Sequence, residues 1–211
     1  MIRSQEALSR LREGNLRFAG DLPSDETCLS GAARRSQLVE GQQPFAVILG
    51  CSDSRVPAEI VFDQGLGDLF VIRVAGNIVA PSQIGSIEYA AEVTGARLVV
   101  VMGHSNCGAI GATINELQRP QASRSRNLSS IVNRIRPAVE TLLETDLVQD
   151  HAALVRYAVR ANIRASVDHL RHGSEILERL ADEDGLAVVG AEYSLETGLV
   201  EFFEIQPKVL D

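Results

Sequence analysis

The sequence predicts an α/β fold: a mostly parallel central β-sheet flanked by helices, with an N-terminal helical arm and a C-terminal hairpin of strands. Three observations carry this. Residues 45–49, 69–74 and 98–102 are short apolar runs without alternation, the pattern of strands covered on both faces. Helical signals separate the runs, and alternation of strand and helix implies parallel strands joined by right-handed crossovers. The chain, at 211 residues and 45% apolar, can bury a sizeable core as one domain. That domain is expected to span residues 1–211, with the arm at 1–40, the chemical core at 45–115, and helices and edge strands at 127–211.

In the arm, Leu8, Leu11, Leu16 and Phe18 recur at helical spacing among charged residues, and turn signals at 20–23 end the segment. The strands at 45–49 and 69–74, the second interrupted only by Arg73, are followed by a helix whose apolar positions include Ile84, Ile87 and Ala91. Gly95 closes that helix as a C-cap. Beyond the third strand the pattern is helical. Leu128, Ile131, Ile135, Val139 and Leu142 form one stripe, which Pro137 should kink or break, and Val155, Val159, Ile163, Val167 and Leu170 form another. The polar stretch at 119–127 reads as a loop. Residues 186–190 and 199–205 read as two further strands around a turn at 194–198, a hairpin at a sheet edge.

Lys and Arg total 20 against 28 Asp and Glu, a formal charge of −8, with no basic block to follow a phosphate backbone or an anionic bilayer. Nucleic acid and membrane are therefore not expected partners. No apolar run approaches the ~18 residues of a membrane span. The first residues are charged throughout, which predicts a cytoplasmic protein. Three cysteines are too few for a disulfide scaffold, so each is read as a core residue, a metal ligand or a nucleophile.

Two core strands end alike: Gly50 is followed by Cys51, and Gly103 by His104, with Cys107 three residues later. In an open parallel sheet, residues just past the carboxyl ends of neighbouring strands face one crevice. Cys51, His104 and Cys107 can then meet there. Two thiolates and an imidazole suit one zinc ion per chain, and three protein ligands leave the fourth position for water or substrate. If the loop from Cys51 is extended, Asp53 and Arg55 share its side and can pair bidentately. Zinc with two thiolates and a neutral imidazole carries no net charge, so it acidifies water less than an all-histidine site would. A carboxylate held ionised by Arg55 can accept the water's hydrogen bond and act as first proton acceptor. Asp53 can also bind the metal directly, which removes the nucleophile. Cys28 reads as an incidental thiol, and His169 and His172 as a solvated helix end; Gly65, Gly67, Gly108 and Gly111 complete no nucleotide-binding fingerprint.

At these residues the chain resembles the β-class carbonic anhydrases. Cys51-Ser-Asp53-Ser-Arg55-Val-Pro-Ala-Glu59 is similar to that family's first signature and Gly103-His104-Ser-Asn-Cys107-Gly108 to its second, within a likeness running from about residue 45 to 114. The resemblance implies reversible hydration of carbon dioxide to bicarbonate and a proton, by zinc-bound hydroxide that Asp53 and Arg55 orient. It also implies an arm wrapped over a neighbouring subunit, and a homodimer or dimer of dimers. Gln64 matches a glutamine that reaches from the partner subunit towards carbon dioxide, and the Gly108 N–H matches a donor that helps to orient substrate oxygen. An inhibitory bicarbonate pocket of tryptophan, arginine and tyrosine occurs in some members. Arg73 and Tyr193 match two of its residues, while Ile48 stands at the tryptophan position, so an open, water-bearing site is expected at neutral pH. Two alternatives stay open: hydrolysis of COS or CS2 on the same scaffold, and a non-catalytic zinc protein with Asp53 on the metal.

Overall fold

The computed structural model of the chain describes residues 2–22, 24, 30–119 and 125–203. Its centre is a five-stranded sheet in the order β2-β1-β3-β4-β5. The strands are β1 (Ala46–Gly50), β2 (Leu69–Arg73), β3 (Leu98–His104), β4 (Ala187–Tyr193) and β5 (Val200–Phe203). The first four run parallel, and β5 returns antiparallel to β4 with Gly190 opposite Phe203. From β1 the chain adds β2 on one side and then crosses to add β3 on the other. A crevice opens at such a reversal, beyond the carboxyl ends of the strands.

Alternation along the strands divides the core in two. Val47, Leu49, Val99, Val101 and Val188 face one layer, while Ala46, Ile48, Val100, Met102 and Val189 face the other. Helices α4 (Pro81–Tyr89), α5 (Gly108–Gln118), α6 (Arg126–Val139), α7 (His151–His172) and α8 (Glu175–Glu183) supply the first layer, through Ile87, Ile110, Ile135, Ile163, Leu170 and Leu177 among others. Helix α1 (Ser4–Ala19) and the short α3 (Ala58–Val61) supply the second, where Ala7, Leu8 and Leu11 pack with Val61 and Phe62. The anticipated arm therefore contributes α1 to the chain's own core. The remaining short helix of that segment, α2 (Ala32–Gln37), buries no residue.

Several boundaries differ from the sequence reading, each for a physical reason. β1 and β3 are buried throughout, but β2 is only half-buried because it takes the sheet edge, which its apolar composition does not reveal. Pro137 lies inside α6, in its last turn, and the break comes two residues later, where the chain tightens into a 3-10 turn at Glu140–Glu144. Leu128, expected on the buried stripe, is exposed near the start of that helix. β4 runs on to Tyr193 because β3 continues to His104 beside it. Pro81 at the first position starts α4, and Gly95, at φ 78°, caps the single π turn that follows. Cys28 and parts of the 119–127 and 199–205 segments lie outside the described residues. His172 is exposed at the end of α7, as expected of a solvated helix end.

Candidate metal centre

Cys51 directly follows β1 and keeps the side of Val47 and Leu49; His104 is the last residue of β3. The chain then turns through Ser105 and Asn106, whose φ of 56° is a left-handed value that asparagine tolerates, and reaches Cys107, the residue before α5. All three side chains are buried. Their ligand atoms lie within 4.8 Å of one another, the one such His, Cys, Asp or Glu group among the described residues.

The donors are chemically poised. His104 Nδ1 lies 2.9 Å from the Ser105 carbonyl oxygen, which can only accept, so the ring proton sits on Nδ1 and Nε2 presents its lone pair. Nε2 is buried and makes no hydrogen bond among the described residues. A buried polar atom of this kind is rare unless something absent satisfies it. Cys51 accepts the Gly76 N–H at 3.3 Å and, beside the Cys107 thiol, is held down at about 4. Cys107 is pushed up because it keeps the shared proton beside the Cys51 sulfur, although the Ala109 and Ile110 amides at the start of α5 favour its thiolate. Burial opposes a charge on His104, but the Cys51 sulfur and Asp53 outweigh it and raise its pKa. Two sulfurs and one imidazole nitrogen within 4.8 Å of one another fit a tetrahedral zinc with one open position.

Asp53 and Arg55 pair as anticipated, though by a different backbone path. Val56 N–H donates to the Asp53 carbonyl at 3.1 Å, closing a turn, so the loop is not extended through residue 55 as the sequence reading supposed. Arg55 folds back and donates from Nε to Oδ1 at 2.9 Å and from Nη2 to Oδ2 at 2.8 Å, and its own N–H donates to Oδ1 at 3.0 Å. An aspartate that bonds the backbone two residues on is the reason for the turn. Arg55's hydrogen bonds hold the Asp53 carboxyl well below the usual carboxylate range. Asp53 Oδ2 stands 3.8 Å from His104 Nε2, beside the cluster rather than in it.

Arg73, which by resemblance matches a residue of the bicarbonate pocket of some members, braces the loop here: it donates to the Cys51 carbonyl at 2.9 Å and to the Asp53 carbonyl at 2.5 Å. Tyr193 is buried next to His104 in the sheet register, its ring 6.4 Å from Phe18, and Ile48 is fully buried in the opposite layer. Gln64 bonds within its own surroundings: Arg10 donates to its Oε1 at 3.0 Å, and its Nε2 donates to the Phe62 carbonyl at 2.7 Å. With Phe18, Ile60 and Asp63 it lines a separate cavity of about 580 Å³. Gly108 is the first residue of α5. Sequence reasoning missed the Gly76 donor and the brace from Arg73; a charged residue interrupting an apolar strand was the signal available for the latter.

The sequence profile of the carbonic anhydrase family matches residues 46–200. The carbonic anhydrase of Mycolicibacterium smegmatis is 38% identical over 197 residues, 92% of this chain and 91% of that protein. Carbonic anhydrase 2 of Mycobacterium tuberculosis is 40% identical over 196 residues, 91% of this chain and 89% of that one. Among solved structures, a tetrameric β-carbonic anhydrase of Sordaria macrospora superposes with a TM-score of 0.72 at 25% identity, covering 81% of this chain and 85% of its own. That of Coccomyxa superposes at 0.68 with 26% identity, covering 92% and 85%.

Proposed function

The chain belongs to the β-class carbonic anhydrase family, and from that premise we propose that it hydrates carbon dioxide reversibly to bicarbonate and a proton with one zinc ion held by Cys51, His104 and Cys107. The observation that carries the assignment is the buried, hydrogen-bond-free His104 Nε2 facing two cysteine sulfurs. Zinc, when bound, supplies a Lewis acid that makes water a nucleophile near neutral pH.

The chain's own residues do the rest. Arg55 keeps Asp53 ionised and fixes its orientation through both oxygens. Oδ1 already accepts twice from Arg55, whereas Oδ2 accepts once and keeps a lone pair, so Oδ2, 3.8 Å from His104 Nε2, is assigned to accept the water's hydrogen bond at the edge of the cluster and orient it. This pairing favours the open site, because a carboxylate clamped bidentately must break those bonds to become a ligand. The Gly108 N–H, at a helix start, is assigned to the substrate oxygen. Gln64 is assigned to substrate across a subunit interface, in a homodimer or dimer of dimers; its position in a pocket apart from the cluster supports that reading. Among the described residues no helix is long and apolar enough to cross a membrane. The reduced state that the two thiolate ligands require favours a cytoplasmic location.

Zinc content measured together with stopped-flow carbon dioxide hydration tests the assignment. One zinc per chain with hydration well above buffer is expected; full zinc with no hydration at any pH would leave a non-catalytic metal protein.

A further inference from the structure

Long-range hydrogen bonds join α7 to the turn behind Cys51. Asn162, buried on that helix, donates from Nδ2 to the Gly76 carbonyl at 2.8 Å, and Ser166, one turn later, donates from Oγ to the Asn77 carbonyl at 3.2 Å. The turn they hold runs from Val74 to Asn77, closed by the Asn77 N–H on the Val74 carbonyl at 3.0 Å. Gly76 sits in it at φ 70°, a conformation glycine adopts easily but does not enforce. Gly76 N–H then donates to the Cys51 sulfur at 3.3 Å.

We propose that Asn162, assisted by Ser166, is a positioning residue for the metal centre: by clamping two successive carbonyls it aims the Gly76 N–H at the Cys51 sulfur. The proposal rests on the metal-site reading above. Its chemical purpose follows from charge. Two thiolates and a neutral imidazole cancel the charge of a zinc ion, which blunts its Lewis acidity. An N–H aimed at a thiolate withdraws electron density from the sulfur and restores part of it. Cys107 receives such donors from the start of α5, through the Ala109 and Ile110 amides. Cys51 precedes no helix and stands on a loop, where the Asp53 amide is its local donor; its second, the Gly76 N–H, sits on a turn that a distant element holds. α7 is the element in place to do it, since it already presses on the site through Ile163, whose Cδ1 would lie 2.6 Å from a Cβ on Gly103, the residue before His104.

The test uses the full chain with Co2+ in place of zinc. Asn162→Leu keeps the volume and removes the donor; Ser166→Ala removes only the second clamp; Val159→Ala perturbs the same helix away from the turn. The thiolate-to-cobalt charge-transfer band should move to longer wavelength in Asn162→Leu, with metal affinity reduced by ~10-fold. Ser166→Ala should shift both in the same direction by less. Val159→Ala should lower the Tm with the band unmoved. If Asn162→Leu does not fold, Ser166→Ala decides. An unmoved band in the folded clamp variants, or an equal shift in Val159→Ala, would overturn the clamp while leaving the metal site intact. Failure of the parent chain to bind cobalt would overturn both.

Discussion

Asp53 and Arg55 divide one task between orientation and ionisation, and their geometry says which matters. A carboxylate whose folded pKa is depressed is ionised everywhere above that value, so Asp53 is charged throughout the neutral range. Removing Arg55 lets its pKa rise only towards the ordinary ~3.9, still far below neutrality. Arg55→Ala is therefore expected to lower turnover roughly 100-fold through lost orientation, with zinc retained and no rescue on raising the pH. Recovery of activity at alkaline pH would show that ionisation was the limiting factor. The thiol pair makes a second prediction. Cys107 holds the proton that Cys51 has given up, and His104 Nε2 presents a lone pair, so zinc uptake near pH 7 should release about one proton per chain, measurable in lightly buffered indicator solution. Release of none would mean the donors are already deprotonated. The convergence of Cys51, His104 and Cys107 was legible because two strands end in the same glycine-led pattern, and the Asp53–Arg55 pair because the two residues lie two apart on one loop. The brace from Arg73 was not legible, because a guanidinium's partner on a neighbouring loop leaves no mark in local spacing.

At the level of elements, the candidate site draws on the start of α5 and on the turn at 74–77. Gly76→Ala forces a left-handed residue and puts a Cβ 2.8 Å from Ile135 Cδ1 and 3.2 Å from Ala109 Cβ. A loss of about 2 kcal/mol is expected, with weaker zinc binding, in denaturant titrations of the metal-free and zinc-loaded forms. The N-cap of α7 is a contrasting case. Asp150 accepts the Ala153 N–H at 3.0 Å and, among the described residues, makes no hydrogen bond or ion pair to Cys51, His104 or Cys107; Asp150→Ala should cost about 1 kcal/mol and lower the Tm without altering zinc content. Strands and the long helices were readable from periodicity, because a buried face imposes it. The π turn, the order of strands in the sheet and the half-exposed position of β2 were not, since an edge strand and a central one carry the same apolar residues.

On the scale of the whole molecule, Cys51, His104 and Cys107 meet only because β1 and β3 lie side by side, so a metal held by them would be linked to folding. Chelation should lower the Tm and added zinc should restore it, because the proposed zinc site is assembled only in the folded chain. α1 belongs to this economy: Leu11 is fully buried, and Leu11→Ala should cost about 3 kcal/mol, seen as a lower denaturation midpoint. The sequence reading placed α1 in an arm ahead of the core, because helical spacing shows which face is apolar but not what covers it. The account as a whole rests on one coordination sphere, which zinc K-edge X-ray absorption on the purified protein reads directly. Two sulfurs at ~2.3 Å and one imidazole nitrogen with one further light atom at ~2.0–2.1 Å are predicted. A sphere of oxygen and nitrogen alone, or one with four sulfurs, would contradict it.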